Sequence, residues 1–348
     1  MSRVSGGLIE ILQPGIGTTI QDRGRLGHRH EGIPTAGWLD APLAEAANAL
    51  VGNAGGQAVL ELRGMGTQLR IKQGVVRVAL AGRIGAKWQR HEGTAVALPA
   101  WQTATLHNGD QLMLGAAETG CAYLAVAGGL KLPAQLGSCS SYGRAGLQGL
   151  LGRAWFPGDV LPCSGWVSKD FREWRIQEWS MSSGPIRVLP GPQQKHFSEQ
   201  ALALFFSEVW QATPEQDRMG LRLRGPMLRH ASTQDSDIVS DAVAPGAIQV
   251  PANGQPIVLM ADSQTVGGYP KIAHVISADL PRLAHLKPGT QFKFECVTPT
   301  QARHALAAQR ESWLAWLATR ESFLPPGFID EEALYNNNLV SGVLLARI

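Results

Sequence analysis

The 348-residue chain has only four cysteines, Cys121, Cys139, Cys163 and Cys296. None forms a C-x-x-C pair, which excludes a dithiol redox motif and a ribbon-type zinc site and leaves reduced thiols as the expectation. No stretch reaches the roughly eighteen uninterrupted apolar residues needed to cross a bilayer, and residues 1–10 lack an apolar core of signal-peptide length; a soluble cytoplasmic protein is expected. Neither sign of charge dominates. Lys+Arg 31 against Asp+Glu 28 gives a formal +3, not the surplus of a nucleic-acid-binding surface. There is no G-x-x-x-x-G-K-[ST] phosphate loop and no Met-Lys-Met context for covalent biotin, so nucleotide or carrier chemistry requires another kind of site or a partner. The run Gly137-Ser138-Cys139-Ser140-Ser141 is not a G-x-S-x-G elbow. Nine histidines are scattered, and the pair His28 and His30 lacks a convergent ligand set; no metal site is expected.

What is abundant is turn chemistry. Forty glycines and twenty-one prolines lie among short apolar runs, which argues for a mainly β protein with a few helices. Strand candidates fall at 75–81, 94–98, 111–114 and 121–126, and again at 186–189, 248–250, 257–260, 274–276 and 291–296. Asp40 as N-cap, Pro42 in the first turn and Leu43, Ala46, Ala47 and Leu50 at helical spacing predict a helix that stops at Gly52. Thr298-Pro299-Thr300-Gln301 predicts a capping box, opening a helix that places Ala302, Ala305, Leu306, Trp313 and Leu317 towards one side. Residues 168–184 mix charges with tryptophans and read as a connection, so the expected units are 1–183 and 184–348.

The densest segment runs from 246 to 270. Apolar runs flank Asn253-Gly254 and predict two adjacent strands, the first carrying Gln249, the second leading into a loop with Asp262, Gln264, Thr265, Gly267, Gly268 and Tyr269. Paired glycines permit close backbone approach to a ligand, and their N–H groups suit an oxyanion; a satisfied turn network is the alternative. As the only carboxylate of that loop, Asp262 is the expected proton acceptor, and Asp262→Asn is expected to leave thermal stability nearly unchanged. Further candidates are Gln21 and Arg25, the latter for a carboxylate or as part of a salt-bridged loop; Asp40, better explained as a cap; Asn48; and Glu61, costly to bury unpaired. Arg218 and Arg222 suit either anions or ion pairs.

In order along the chain, Thr19-Ile20-Gln21-Asp22-Arg23-Gly24-Arg25, Gly37-Trp38-Leu39-Asp40, Asn48-Ala49-Leu50-Val51-Gly52-Asn53, Tyr123-Leu124-Ala125-Val126-Ala127-Gly128-Gly129, Asp217-Arg218-Met219-Gly220, Gln264-Thr265-Val266-Gly267-Gly268-Tyr269-Pro270 and Asn338-Leu339-Val340-Ser341-Gly342-Val343 resemble the KipA-like family. It is also called allophanate hydrolase subunit 2 or the biotin-dependent carboxyltransferase family. The resemblance implies two tandem cyclophilin-like β-barrel domains. It also implies a small amide substrate, with Asp262, Arg218 and Tyr269 catalytic and Gln21, Arg25, Asp40, Asn48, Glu61, Arg222, Gln249, Gln264, Thr265, Gly267 and Gly268 binding. The leading activity implied is ATP-driven opening of 5-oxoproline, with ATP held somewhere in a complex with KipI-like and LamB/YcsF-like subunits. Carboxyl transfer from carboxybiotin to urea, or non-catalytic binding of a KipI-like inhibitor, are the alternatives. Trp38-Leu39 and Ala81-Gly82-Arg83 depart from the family pattern.

Overall fold

The computed structural model describes residues 6–91, 93–147, 153–166 and 172–325. The motif at 338–343 lies outside them. The chain is mostly β, as expected, with four α-helices among the described residues. A six-stranded sheet runs in the order Val160–Cys163, Gly7–Gln13, Gln68–Gln73, Gln111–Ala117, Ile84–Gln89, Ala95–Leu98. It faces a seven-stranded sheet in the order Thr19–Gln21, Val59–Leu62, Ala122–Val126, Val76–Ala81, Gln102–Leu106, Glu173–Arg175, Glu321–Phe323. Ile9, Ile11, Leu69 and Leu112 from the first meet Leu60, Val78, Leu80 and Leu124 from the second in one barrel-like core.

Alternation explains what covers the other face of the second sheet. In Val76–Ala81 every residue is buried; Val76, Val78 and Leu80 enter the barrel core, whereas Ala79 and Ala81 face outwards into a second core. Those small residues, with Ala125, leave room for helix α1 (Ala41–Leu50), which buries Ala44, Ala46 and Ala47 against them. Asp40 caps α1 as expected, accepting from Leu43 N at 2.9 Å.

The later part builds an eight-stranded sheet, in the order Gln291–Phe292, Trp210–Gln216, Gly220–Arg224, Ile257–Leu259, Ala247–Gln249, Lys271–Val275, Ile186–Pro190, Phe294–Cys296. Ala247–Gln249 and Ile257–Leu259 pair antiparallel, Ile248 opposite Val258, as the Asn253-Gly254 turn predicts. Helix α2 (Glu199–Ser207), capped by Ser198, packs Phe205 on Phe294 with centroids 4.6 Å apart. The short α3 (Leu280–Ala284) and the long α4 (Pro299–Leu317), with its capping box, complete the helices. On α4, Trp313 and Leu317 pack on the core that also holds α1, and Ala302 and Ala305 on a smaller cluster, but Leu306 is exposed.

The 168–184 connection contains a strand that the sequence does not announce. Glu173 lies inside the seven-stranded sheet because buried Arg77 approaches it at 3.4 Å and Thr105 donates to it at 2.6 Å. That sheet also takes in Glu321–Phe323 from beyond α4. One apolar core runs without a break from α1 to the eight-stranded sheet.

Candidate functional site

Arg218 lies two residues before the strand that pairs with Ile257–Leu259, and Asp262 follows the latter, so antiparallel pairing sets them side by side. The backbone confirms the register, Asp262 N donating to Arg218 O at 2.7 Å. Arg218 Nε and Nη2 donate to Asp262 Oδ2 and Oδ1 at 2.9 and 2.8 Å, a bidentate pair. The remaining contacts reach into the other half of the molecule: Nη1 to Glu61 Oε1 at 2.5 Å and Nη2 to Gly37 O at 2.6 Å. Glu61, fully buried in its strand, also accepts from Leu39 N at 3.0 Å and Tyr123 Oη at 2.8 Å. Four of the five N–H donors of Arg218 are thus engaged within the protein, two of them on Asp262, which fixes that carboxylate in place.

One cation serves two carboxylates here. Burial opposes the charge on Arg218, but Glu61 and Asp262 together more than offset it and hold its pKa above the ordinary value. Asp262 shifts up as well: its burial is the main cause, and the neighbouring Glu61 charge adds to it against the pull of Arg218. A carboxylate more basic than usual is a better proton acceptor.

The loop of residues 22–37 lies along the Asp262 loop, tied by Ala36 N to Ala261 O at 3.2 Å. Asp22 shapes it from within, accepting from Gly24 N, Ser138 Oγ, Cys139 N and Ser140 Oγ at 2.5 to 2.8 Å. This is the use of the serine-rich run. Gln21 is likewise structural, its Oε1 accepting from Gly37 N at 3.1 Å and its Nε2 donating to Ser141 O at 3.2 Å. Arg25, 1% exposed, donates from Nε to Gln135 O at 3.2 Å and from Nη2 to Ser140 O, but its Nη1 is buried with no acceptor among the described residues. Arg29 donates from Nη2 to Val243 O at 2.6 Å and Gln264 O at 3.2 Å, and its Nη1 is orphaned too.

Arg63 Nε and Ser263 Oγ are in the same condition. Both Arg25 and Arg63 lie close enough to Asp262 to interact with it electrostatically. Buried donors without acceptors are uncommon in native proteins, and each calls for an explanation. Among the described residues they concentrate around this one loop. Beside it opens a cavity of about 470 Å³ lined by Arg29, His30, Gly32, Ala242, Val243, Thr265 and Val266.

The other sequence candidates distribute unevenly. Thr265 lines the cavity and Tyr269 stands exposed at the loop's end. Buried Gln249 links Gln264 to Tyr269, accepting from Gln264 Nε2 at 3.4 Å and donating to Tyr269 O at 3.2 Å. Neither Gly267 nor Gly268 has positive φ; Gly267 is needed for room, since a Cβ there would lie 2.6 Å from Gln249 Nε2. Arg222 does not join the site: its place on the strand directs it outwards to Glu215 at 3.0 Å, half exposed. Asn48 ties the end of α1, donating to Gln57 O at 3.0 Å and accepting from Asn53 at 2.8 Å.

Asp40 belongs to a second cluster. Its N–H donates to Tyr123 Oη at 2.9 Å, which connects it to Glu61, while its Oδ2 lies 2.9 Å from His285 Nε2. Burial disfavours the imidazolium of His285, but Asp40, with Cys121 beside it, more than compensates and raises its pKa to about 10. Because the folded value exceeds the ordinary 6.5, this pair's stabilisation is complete below about pH 6.5 and lost as pH rises through about 10. The melting temperature of the native chain should therefore fall more steeply over that window than that of His285→Gln, measured by scanning calorimetry. Parallel curves would remove His285 from the pH response. His285, Arg29 and Arg63 carry no local signal in the sequence; only the fold brings them here.

A family model described as "carboxyltransferase domain, subdomain A and B" matches residues 31–296, which include the Arg218–Asp262 pair and the loop after it. The chain is 36% identical over 321 residues to the C-type subunit of 5-oxoprolinase from Escherichia coli, covering 90% of this chain and all of that one. It is 34% identical over 302 residues to the protein of the same name from Haemophilus influenzae, covering 85% and 93%. The crystal structure of K. lactis urea amidolyase matches 93% of this chain with a TM-score of 0.77 at 25% identity, although this chain spans only 20% of that protein. With most of its length matched by the family model and nearly all of it by full-length relatives, this chain belongs to the carboxyltransferase domain family, subdomains A and B.

Proposed function

We propose that this protein is the C-type subunit of an ATP-dependent 5-oxoprolinase, acting in the cytoplasm with KipI-like and LamB/YcsF-like subunits and built as two units, 1–183 and 184–348. The observation that carries the reading is the set of orphaned buried donors around Asp262, on Arg25, Arg29, Arg63 and Ser263. 5-Oxoproline offers a carboxylate for such guanidinium groups and a lactam carbonyl for a hydroxyl or amide donor. With about nine non-hydrogen atoms in all, the molecule is small for a cavity of about 470 Å³, which leaves space for a partner's residues.

In this reading Arg218 holds Asp262 rigid, and Asp262, made more basic by burial, accepts a proton during ring opening. Thr265 and Gln264 orient the lactam, and Tyr269 closes the edge. The orphaned guanidinium donors suit phosphate as well as carboxylate, but the chain has no glycine-rich phosphate loop, so ATP is assigned to the complex and no step is placed on it here. Bound elsewhere in the complex, ATP would supply the driving force for opening an unreactive lactam. Covalent biotin has no attachment context in the chain.

The likeness to urea amidolyase favours a second reading, carboxyl transfer from carboxybiotin on a separate carrier to a urea-like amide. Purified components separate the two. ADP release that depends on 5-oxoproline and requires all three subunits, with none from the isolated chain, is the expected result; turnover by the isolated chain, or carboxybiotin consumption with urea instead, overturns it.

A further inference from the structure

A second cavity, of about 430 Å³, opens where α1, the strand ends at Gly82 and Thr119, the connection at 178–181 and the end of α3 meet. It is separate from the Asp262 loop. Leu43, Trp101, Trp179 and Met181 give it apolar walls, and Thr119, Ser180, His285, Arg83 and Glu178 present polar groups to it. Both indoles pack on Trp316 of α4, with centroids 5.7 and 5.2 Å away, which fixes their planes.

Close backbone contact brings the polar pair together. Gly120 has a φ of +35°, and a Cβ there would sit 1.7 Å from Ala284 O, so only glycine lets this turn press against α3. His285 then spans from Asp40 Oδ2, 2.9 Å from its Nε2, to Thr119 Oγ1, 3.1 Å from its Nδ1. As imidazolium, the form that pairing with Asp40 favours, His285 donates from both nitrogens. Thr119 Oγ1 is thereby the acceptor, and its own proton is free to turn towards the cavity. The charges cancel in pairs: His285 with Asp40, and Arg83 with Glu178 at 2.6 Å. A charged ligand would have to compete with the existing Arg83–Glu178 pair for its partner.

We propose that this cavity is a ligand site for a small, neutral, ring-bearing amide or related carbonyl compound, its oxygen accepting from Thr119 and its ring lying against Trp101 and Trp179. The groups at the cavity carry the assignment: an apolar aromatic wall, the Thr119 hydroxyl oriented by His285 with the Ser180 hydroxyl as a second polar group, and charged side chains that pair with one another. The site does not depend on the reading of the Asp262 loop, since no orphaned donor of that loop contributes to it.

Three isosteric probes test it on the full chain, with binding followed by calorimetry and by tryptophan emission. Benzamide should bind with a Kd of about 1 mM or below, reasonable for nine non-hydrogen atoms. Benzoate and benzamidinium should bind at least about tenfold more weakly, since each brings an unmatched charge into the site. Thr119→Val, which keeps the shape, should weaken benzamide about tenfold, the worth of one hydrogen bond, and Thr119→Ser should restore it. Benzoate or benzamidinium binding as tightly as benzamide, equal benzamide affinity in Thr119→Val, or no benzamide binding at about ten times that Kd would each overturn the proposal. If the valine variant fails to fold, the probe series on the native chain still decides.

Discussion

Asp262→Asn should lower turnover of the assembled enzyme by about 10² or more, the range for losing general acid–base help. The side chain keeps its size and one acceptor oxygen, and loses the charge and basicity that burial confers. Read from sequence, this change is expected to be silent for stability, because asparagine serves turns as well as aspartate. The structure alters that expectation. Asp262 accepts two hydrogen bonds from buried Arg218, and an amide at this position turns an N–H towards an arginine donor. A loss of about 1.5–3 kcal/mol, the worth of a hydrogen bond to a charged group, accompanies the fall in turnover. Turnover must therefore be measured below the variant's melting transition and with assembly verified. Native turnover under those conditions would assign Asp262 a purely structural role.

Arg218→Met should be the most destabilising single change in the network, by about 3–5 kcal/mol. It leaves Glu61 and Asp262 facing each other without their shared cation and Gly37 O without a donor. Set against the roughly 5–15 kcal/mol that holds a typical domain together, that is a large fraction. Adding Glu61→Gln to Arg218→Met should recover part of the loss, because it removes one of the two stranded charges. Urea denaturation of the two variants reads both numbers. A cost below about 1 kcal/mol for Arg218→Met would mean that the two halves are held by their shared apolar core and not by this arginine.

Part of the strands and the helices capped by Asp40 and Thr298 were legible because their signals are local: alternation between turn residues, the caps themselves, and Asn253-Gly254 between two apolar runs. Strands such as Gly7–Gln13, Gln68–Gln73 and Trp210–Gln216 and the Ser198-capped helix were not, and 291–296, expected as one strand, is split at Lys293 between the two edges of its sheet. The Asp262 loop was legible from its unusual density of polar groups, and full-length relatives bear out the family that its motif implies. What was not legible depends on long-range contact. Glu173 enters a sheet because Arg77, nearly a hundred positions earlier, receives it. Arg218 looks like a free anion binder until Glu61 and Gly37 are seen to occupy it, and Arg222, four residues on, leaves the site because the intervening strand turns it outwards. Arg63 sits between a leucine and a glycine with nothing to single it out. Its importance is visible only as a buried Nε–H that finds no acceptor among the described residues.

That orphaned donor gives the most direct test. Because the buried Nε–H of Arg63 has no protein acceptor among the described residues, Arg63→Met removes no internal hydrogen bond from that atom. In the enzyme assembled from all subunits, KM for 5-oxoproline should rise by about 10- to 100-fold, the worth of a charge-assisted hydrogen bond, a larger effect than the change in kcat that follows from removing a cation acting on Asp262. An unchanged KM in a folded, assembled variant would contradict the claim that the unpaired guanidinium groups beside Asp262 form the substrate's carboxylate site.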